Sequence, residues 1–313
     1  MSHRLDASPE TAHWGYFDAK LAPRLTIASG ETVTISTVSG GPETLPEASW
    51  GIPDSLLAIH KAFGGPKLPG HICTGPVAVA GAKAGGVLQV EIEAIDVHYP
   101  WGFTFVRPLS GALPDDIQAY RLFHSKLDAA RGVWVTPWGH EVPLAPFFGV
   151  MAVAPPPAWG MVNTLPPRRN GGNLDNKELG AGSTLYLPVF VDGANFSVGD
   201  AHGAQGDGEV CITAVETGLI GRFKLTARND MSLTWPMAET PTRIMTMAFD
   251  PDLDAAVQIA LRSMIDLVTA RAGIDRDQAF ALLSLAADVR VTQVVNGNKG
   301  IHVMLDKRYF EKL

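Results

Sequence analysis

Apolar residues over the first two-thirds of the chain fall in short runs separated by Gly, Pro and polar turn residues. That spacing predicts many short strands. Residues 24–28 and 32–36 flank the turn Ser29-Gly30-Glu31 and read as strand, turn, strand. Residues 77–79 and 87–92 read the same way around Gly85-Gly86, and further strands are expected at 148–154, 184–191 and 210–216.

The period changes in the last third. Asp250 before Pro251 predicts an N-cap with proline at the first helical position. Leu253, Val257, Ala260, Leu261, Met264 and Val268 then recur at helical spacing, and Gly273 closes a helix expected over 251–272. Asp275 with Gln278 forms a capping-box pattern that opens a second helix over 276–290. Its apolar content is Ala279, Leu282, Leu283, Leu285 and Ala286. The expected fold class is mainly β, a sandwich- or barrel-like body with a C-terminal αα-hairpin, α+β overall. One unit is expected over 1–313, built as two intertwined β subdomains. The proline-rich segment 155–170 is expected to be a long loop, of the kind that walls a site.

Composition narrows the class. The chain is 46% hydrophobic and 18% charged, enough to bury a sizeable core. A net charge of −7 without a basic run argues against nucleic acid as a partner. No apolar stretch approaches the ~18 residues of a membrane span. The N-terminal residues lead into no apolar signal segment, so a soluble cytoplasmic protein is expected. Cys73 and Cys211 are too few for a disulfide scaffold and are expected as buried thiols.

The densest candidate chemistry lies between Gly171 and Glu209. Asp200, His202, Asp207 and Glu209 fall within ten positions, interleaved with Gly203, Gly206 and Gly208. Carboxylates and imidazole bind divalent metals and move protons. Asp200 and His202 are two apart, so on a strand they share one face. A hairpin turning at 203–206 would bring Asp207 and Glu209 back to them; the competing reading is a polar surface hairpin. Gly171-Gly172-Asn173-Leu174-Asp175 is a second polar loop, or an Asx turn.

His71 and Thr74 sit near a turn, either at a site or as a satisfied strand entry. His13 with Trp14, Tyr16 and Phe17 can wall a pocket or belong to the core, and Glu141 beside Trp134, Trp138 and His140 is a candidate acid or a solvated one. There is no nucleophile elbow, Walker loop, dinucleotide fingerprint or C-x-x-C pair, which favours an activated water over a serine or cysteine nucleophile.

At these residues the chain resembles the acetamidase/formamidase family. The matching pieces are Thr74-Gly75-Pro76, Gly81-Ala82-Lys83, 87–92, Phe148-Gly149-Val150, Gly171-Gly172-Asn173-Leu174-Asp175, Gly199-Asp200-Ala201-His202, Gly206-Asp207-Gly208-Glu209, 284–288 and 291–295. The length is similar to the shorter, acetamidase-type branch. A Glu-Pro-Gly-Asp turn common in the family is replaced here by Lys83-Ala84-Gly85-Gly86, expected to alter only a surface hairpin. The resemblance implies an amidohydrolase releasing ammonia from a small linear amide, a mainly β fold, a divalent metal and a homo-oligomer, dimer or higher.

Residue chemistry then assigns Asp175, Asp200 and His202 as metal ligands, with Zn²⁺ first and Ca²⁺ or Mn²⁺ as alternatives. Glu209 is assigned as general base, Asn173 as the group that orients the carbonyl, and Asp207 as a residue that orients a ligand. Two other readings stay open. One is a lactamase or an amidase of a bulkier amide, for which seven tryptophans could supply an aromatic wall. The other is a non-enzymatic, metal-dependent β-sandwich binding module. The apolar tail 301–305 can pack between subunits or close the chain's own core.

Overall fold

Two large sheets enclose the main core, and a helical layer covers the far face of one of them. The computed structural model describes residues 2–310. Among these, a nine-stranded sheet runs Ser2–Leu5, Glu31–Ser36, Leu219–Arg228, Val87–Val97, Thr184–Pro188, Met237–Glu239, Arg243–Asp250, Lys299–Asp306 and Asp288–Gln293. An eleven-stranded sheet is built around Ile72–Ala80, Phe147–Ala152 and Phe196–His202. The mainly β, α+β class is as expected.

Strand alternation explains which face each sheet buries. On Leu219–Arg228, Leu219, Phe223 and Leu225 point into the core, while Arg222 and Lys224 pair outside with Glu93 and Glu91. Phe223 packs on Phe148 and Phe196 from the opposite sheet, with ring centroids 5.3 and 5.7 Å apart. Arg243–Asp250 is buried on both faces. Met245, Met247 and Phe249 enter the core between the sheets, and Ile244 and Ala248 meet the helices.

The helices are Leu253–Ala272 and Arg276–Ala286. The capping box of Asp275 and Gln278 is present, and Gly273 ends the first helix with a φ of 72°. Two boundaries differ from expectation. The first N-cap is Asp252, whose side chain accepts from the Ala255 N–H, while Asp250 accepts from the Asp252 N–H. The second helix stops at Ala286 because Asp288–Gln293, an alternating β-branched run, pairs antiparallel with Lys299–Asp306. A further helix, Asp54–Phe63, lies outside the expected elements; it buries Leu56 and Ile59 and ends at Gly64.

Both expected strand-turn-strand units form, but the strands within each do not pair with one another. Leu25–Ala28 pairs parallel with Ile72–Ala80, whereas Glu31–Ser36 joins the other sheet. Ile72–Ala80 and Val87–Val97 likewise belong to different sheets, so Gly85-Gly86 carries the chain across the core edge. The run 210–216 is a loop with Val210 exposed, and only Glu216–Thr217 is strand. Residues 301–305 lie in a strand paired on both sides, so they close this chain's own core.

His302 is buried on that strand, with Nδ1 2.7 Å from the Thr292 hydroxyl. Burial, then the charge of Arg290, lowers its pKa to about 4, against 6.5 for the ordinary group. The unfolded chain therefore takes up a proton that the fold refuses, and stability falls as pH drops from 6.5 towards 4. His302→Asn keeps a polar group for Thr292 and cannot titrate. Urea unfolding across that window should show the variant losing less stability than wild type, by up to about 3 kcal/mol.

Candidate metal centre

The strand Phe196–His202 is buried along its whole length at the middle of the eleven-stranded sheet. Phe196 and Val198 enter the core, and strict alternation would send Asp200 after them. Ala201 enters instead. Asp200 takes a φ of 51°, which shifts the alternation by one and leaves Asp200 and His202 off the core face. Their side chains converge, with His202 Nε2 3.4 Å from Asp200 Oδ2.

The chain returns later than a tight hairpin would bring it. His202 is paired in register with Glu216, and Nε2 lies 3.3 Å from Glu216 Oε2. Glu209 arrives from the intervening loop, with a φ of 47° and Oε1 4.0 Å from the same nitrogen. Asp175 comes from the segment after Gly171–Asn173, also with a φ of 47°. Asp175, Asp200 and His202 offer donor atoms all within 4.8 Å of one another, and so do His202, Glu209 and Glu216. All five residues are buried.

These groups cannot all carry charge. Burial, then the charge of Asp200, pushes the Asp175 carboxyl well above the carboxylate range. Burial, then the charge of Asp175, does the same to Glu209, and burial raises Glu216. At Asp200 burial is outweighed by the His71 and His202 imidazoles, which hold it at about 2. At His202 burial is outweighed by Glu216 and Asp200, so its pKa stands well above 6.5.

The donor set fits a divalent cation. Among the described residues, no hydrogen-bond partner reaches the buried His202 Nε2 or Asp175 Oδ1. Gly149 keeps the space beside them: a Cβ there would lie 2.7 Å from Asp175 Oδ1, 2.7 Å from Asp200 Oδ2 and 2.9 Å from His202 Cε1. One imidazole with several carboxylates is a donor set for Zn²⁺, Mn²⁺ or Ca²⁺.

Among the sequence-predicted residues, Asp175, Asp200, His202 and Glu209 are brought together. Asn173 is buried two residues before Asp175, and its Oδ1 has no partner. Asp207 is not brought to the cluster. Arg290 donates to Asp207 Oδ2 and Lys177 lies 3.2 Å from Oδ1, so the carboxylate ties the Glu209 loop to these two cations.

His71 stands at the rim, with a side chain 22% exposed and Nε2 3.7 Å from Asp200 Oδ2. Thr164, in the segment 155–170, accepts its backbone N–H at 2.8 Å. His13 is elsewhere, between the Tyr16 carbonyl and the Ser197 hydroxyl, and Glu141 pairs with Arg131 on the surface. Cys73 is buried, as expected, and Cys211 half-buried. Trp134 is buried and donates to the Gly203 carbonyl, so it packs under the turn after His202.

Glu216, Gln205 and Asn296 were not singled out by sequence, and Gly149 was named only within the Phe148-Gly149-Val150 match, without a role at the site. Strand pairing across from His202 is the signal that finds Glu216.

The family model described as Acetamidase/Formamidase family matches residues 158–241, which include all five clustered residues. The fold is similar to that of an acetamidase from Bacillus halodurans, with TM-score 0.85, 31% identity and 98% of each chain covered. An acetamidase from Yersinia enterocolitica aligns with TM-score 0.86 and 28% identity, over 100% of this chain and 94% of that one. A curated acetamidase from Mycolicibacterium smegmatis is 54% identical over 56 residues, a stretch of 18% of this chain and 14% of that protein.

Gly149 has no left-handed φ, so alanine there brings no backbone strain of that kind and only fills the space. Gly149→Ala is expected to lose at least about tenfold in Zn²⁺ or Mn²⁺ affinity by calorimetry, as a steric block between ligands should. Gly206→Ala, whose Cβ would meet nothing within 4 Å, is the control expected to bind as wild type.

Proposed function

The chain belongs to the acetamidase/formamidase family, and on that premise we propose that it is a metal-dependent amidohydrolase. It cleaves a small linear amide, of the acetamide or formamide kind, to a carboxylate and ammonia. The observation that carries this reading is the buried donor set that converges on His202 Nε2.

Asp175, Asp200 and His202, with Glu216 beside them, would hold the ion. A divalent ion there supplies Lewis acidity and makes a water nucleophilic at neutral pH. Glu209 is the general base. Burial makes its carboxylate a strong proton acceptor. A Glu209 carboxylate oxygen takes the proton of the attacking water and returns it to the departing amide nitrogen, so ammonia leaves as the carbon–nitrogen bond breaks. Asn173 orients the amide through its carboxamide. Its Nδ2 donates to the carbonyl oxygen, and its unpaired Oδ1 is an acceptor for the substrate N–H. His71 and the segment around Thr164 form the wall nearest solvent.

The test is ammonia release from formamide, acetamide and propionamide by protein stripped with a chelator and refilled with Zn²⁺, Mn²⁺ or Ca²⁺. A γ-lactam is included and read by product analysis. Ammonia from a linear amide only after refilling is the expected result. Full activity of stripped protein overturns the metal dependence; ring opening with inert linear amides overturns the substrate class. In the active form, Glu209→Gln should cut kcat by about 10²–10⁴-fold with metal still bound. Undiminished turnover removes Glu209 from the base role.

A further inference from the structure

His202 Nε2 and Asp175 Oδ1, two of the buried atoms at the centre without a hydrogen bond, have a common feature. Each belongs to a side chain whose other polar atom is tied off by a neutral carboxamide. His202 Nδ1 is 2.9 Å from Gln205 Oε1, and Nε2 is left open. Asp175 Oδ2 receives the Asn296 amide at 2.7 Å, and Oδ1 is left open.

The orientation of Gln205 follows from its other end. Nε2 donates to the backbone carbonyl of Asp175 at 2.8 Å, and a carbonyl only accepts. The Gln205 oxygen therefore faces His202, and Nδ1 is the nitrogen that donates. This leaves Nε2 as the nitrogen whose lone pair an ion would take once that nitrogen gives up its proton. Gln205 also joins the two donors physically, because it reaches from the turn after His202 to the segment that carries Asp175.

Asn296 is held from a third direction. Gln293, fully buried, accepts the backbone N–H groups of Val295 and Asn296 on Oε1 at 2.8 and 3.1 Å. Its Nε2 donates to the Asn298 carbonyl. Gln293 thus shapes the turn that presents Asn296 to Asp175.

The partner of a metal-bound histidine is often a carboxylate, which raises ligand basicity. Here four carboxylates are already buried together, and a fifth charge would add to their repulsion. A carboxamide fixes orientation and adds no charge.

We propose that Gln205 and Asn296 are positioning residues for the divalent ion: two neutral amides aim His202 Nε2 and Asp175 Oδ1 at a common point. The inference rests on the metal reading of the site. Its test is equilibrium affinity for Zn²⁺ and Mn²⁺ by competition with a chromophoric chelator, with the melting temperature of the metal-free protein measured alongside.

Gln205→Met and Asn296→Leu should each weaken binding about 10–100-fold while the metal-free melting temperature stays near that of wild type. Gln205→Glu keeps an acceptor for Nδ1 and loses the donor to Asp175, so it should recover part of the affinity lost in Gln205→Met. If wild type binds neither ion, the metal reading itself fails. If wild type binds and both variants bind within twofold of it, the positioning role is overturned. A fall in metal-free melting temperature with unchanged affinity overturns it as well, because the amides then serve packing alone.

Discussion

Four carboxylates and one imidazole share a buried space with donor atoms a few ångströms apart, and much of the rest of the molecule is arranged to make that tolerable. An unpaired carboxylate away from water costs several kcal/mol. The cluster offers two escapes. Without a cation, Asp200 keeps its charge beside His202 and His71, while Asp175 and Glu209 are driven to their neutral forms. With a divalent cation, the acids can all ionise, and binding and folding draw on the same free energy.

The backbone shares the load. Asp175, Asp200 and Glu209 all occupy the left-handed region. Such conformations cost about 1–3 kcal/mol and persist only where surroundings over-determine them; aspartate tolerates them better than glutamate. The surroundings are specific. The Gly149 carbonyl accepts from both the Leu174 and Asp175 N–H groups at 2.8 and 3.2 Å. Gly208 next to Glu209 donates to the Thr292 carbonyl and accepts from Val294. Asp207 adds its pairs with Arg290 and Lys177. Its place beside Glu209 in sequence is thus explained by holding the loop, since its carboxylate faces cations on the outer side.

What was legible in the sequence was local. The helices announce themselves by period and caps, and the capping box needs only Asp275 and Gln278. Gly199-Asp200-Ala201-His202 stands out because packing alone seldom selects that mixture. Glu216 is different: it reaches His202 through strand register, after a loop long enough to hide the pairing. Gln205 and Asn296 are ordinary amides until their partners are known. The two strand-turn-strand units are present without pairing as hairpins, for a related reason. Gly30 and Gly85 mark turns correctly, but a turn does not say which sheet the next strand joins.

The division of labour between the sheets explains why the helical layer matters to a site it does not touch. The donors lie on or next to strands of the eleven-stranded sheet. Arg290 and the turn carrying Asn296 lie at the edge of the nine-stranded sheet. That edge is held by Ile301, Val303 and Leu305, which pack against Ala260, Met264 and Val268 of the first C-terminal helix. Asn298 in the same turn reaches the Pro167 carbonyl in the segment that also holds His71 through Thr164. Separating the sheets would therefore part Asp175 from the Asn296 amide and Asp207, on the Glu209 loop, from Arg290. The site and the closed sandwich are for that reason one cooperative structure.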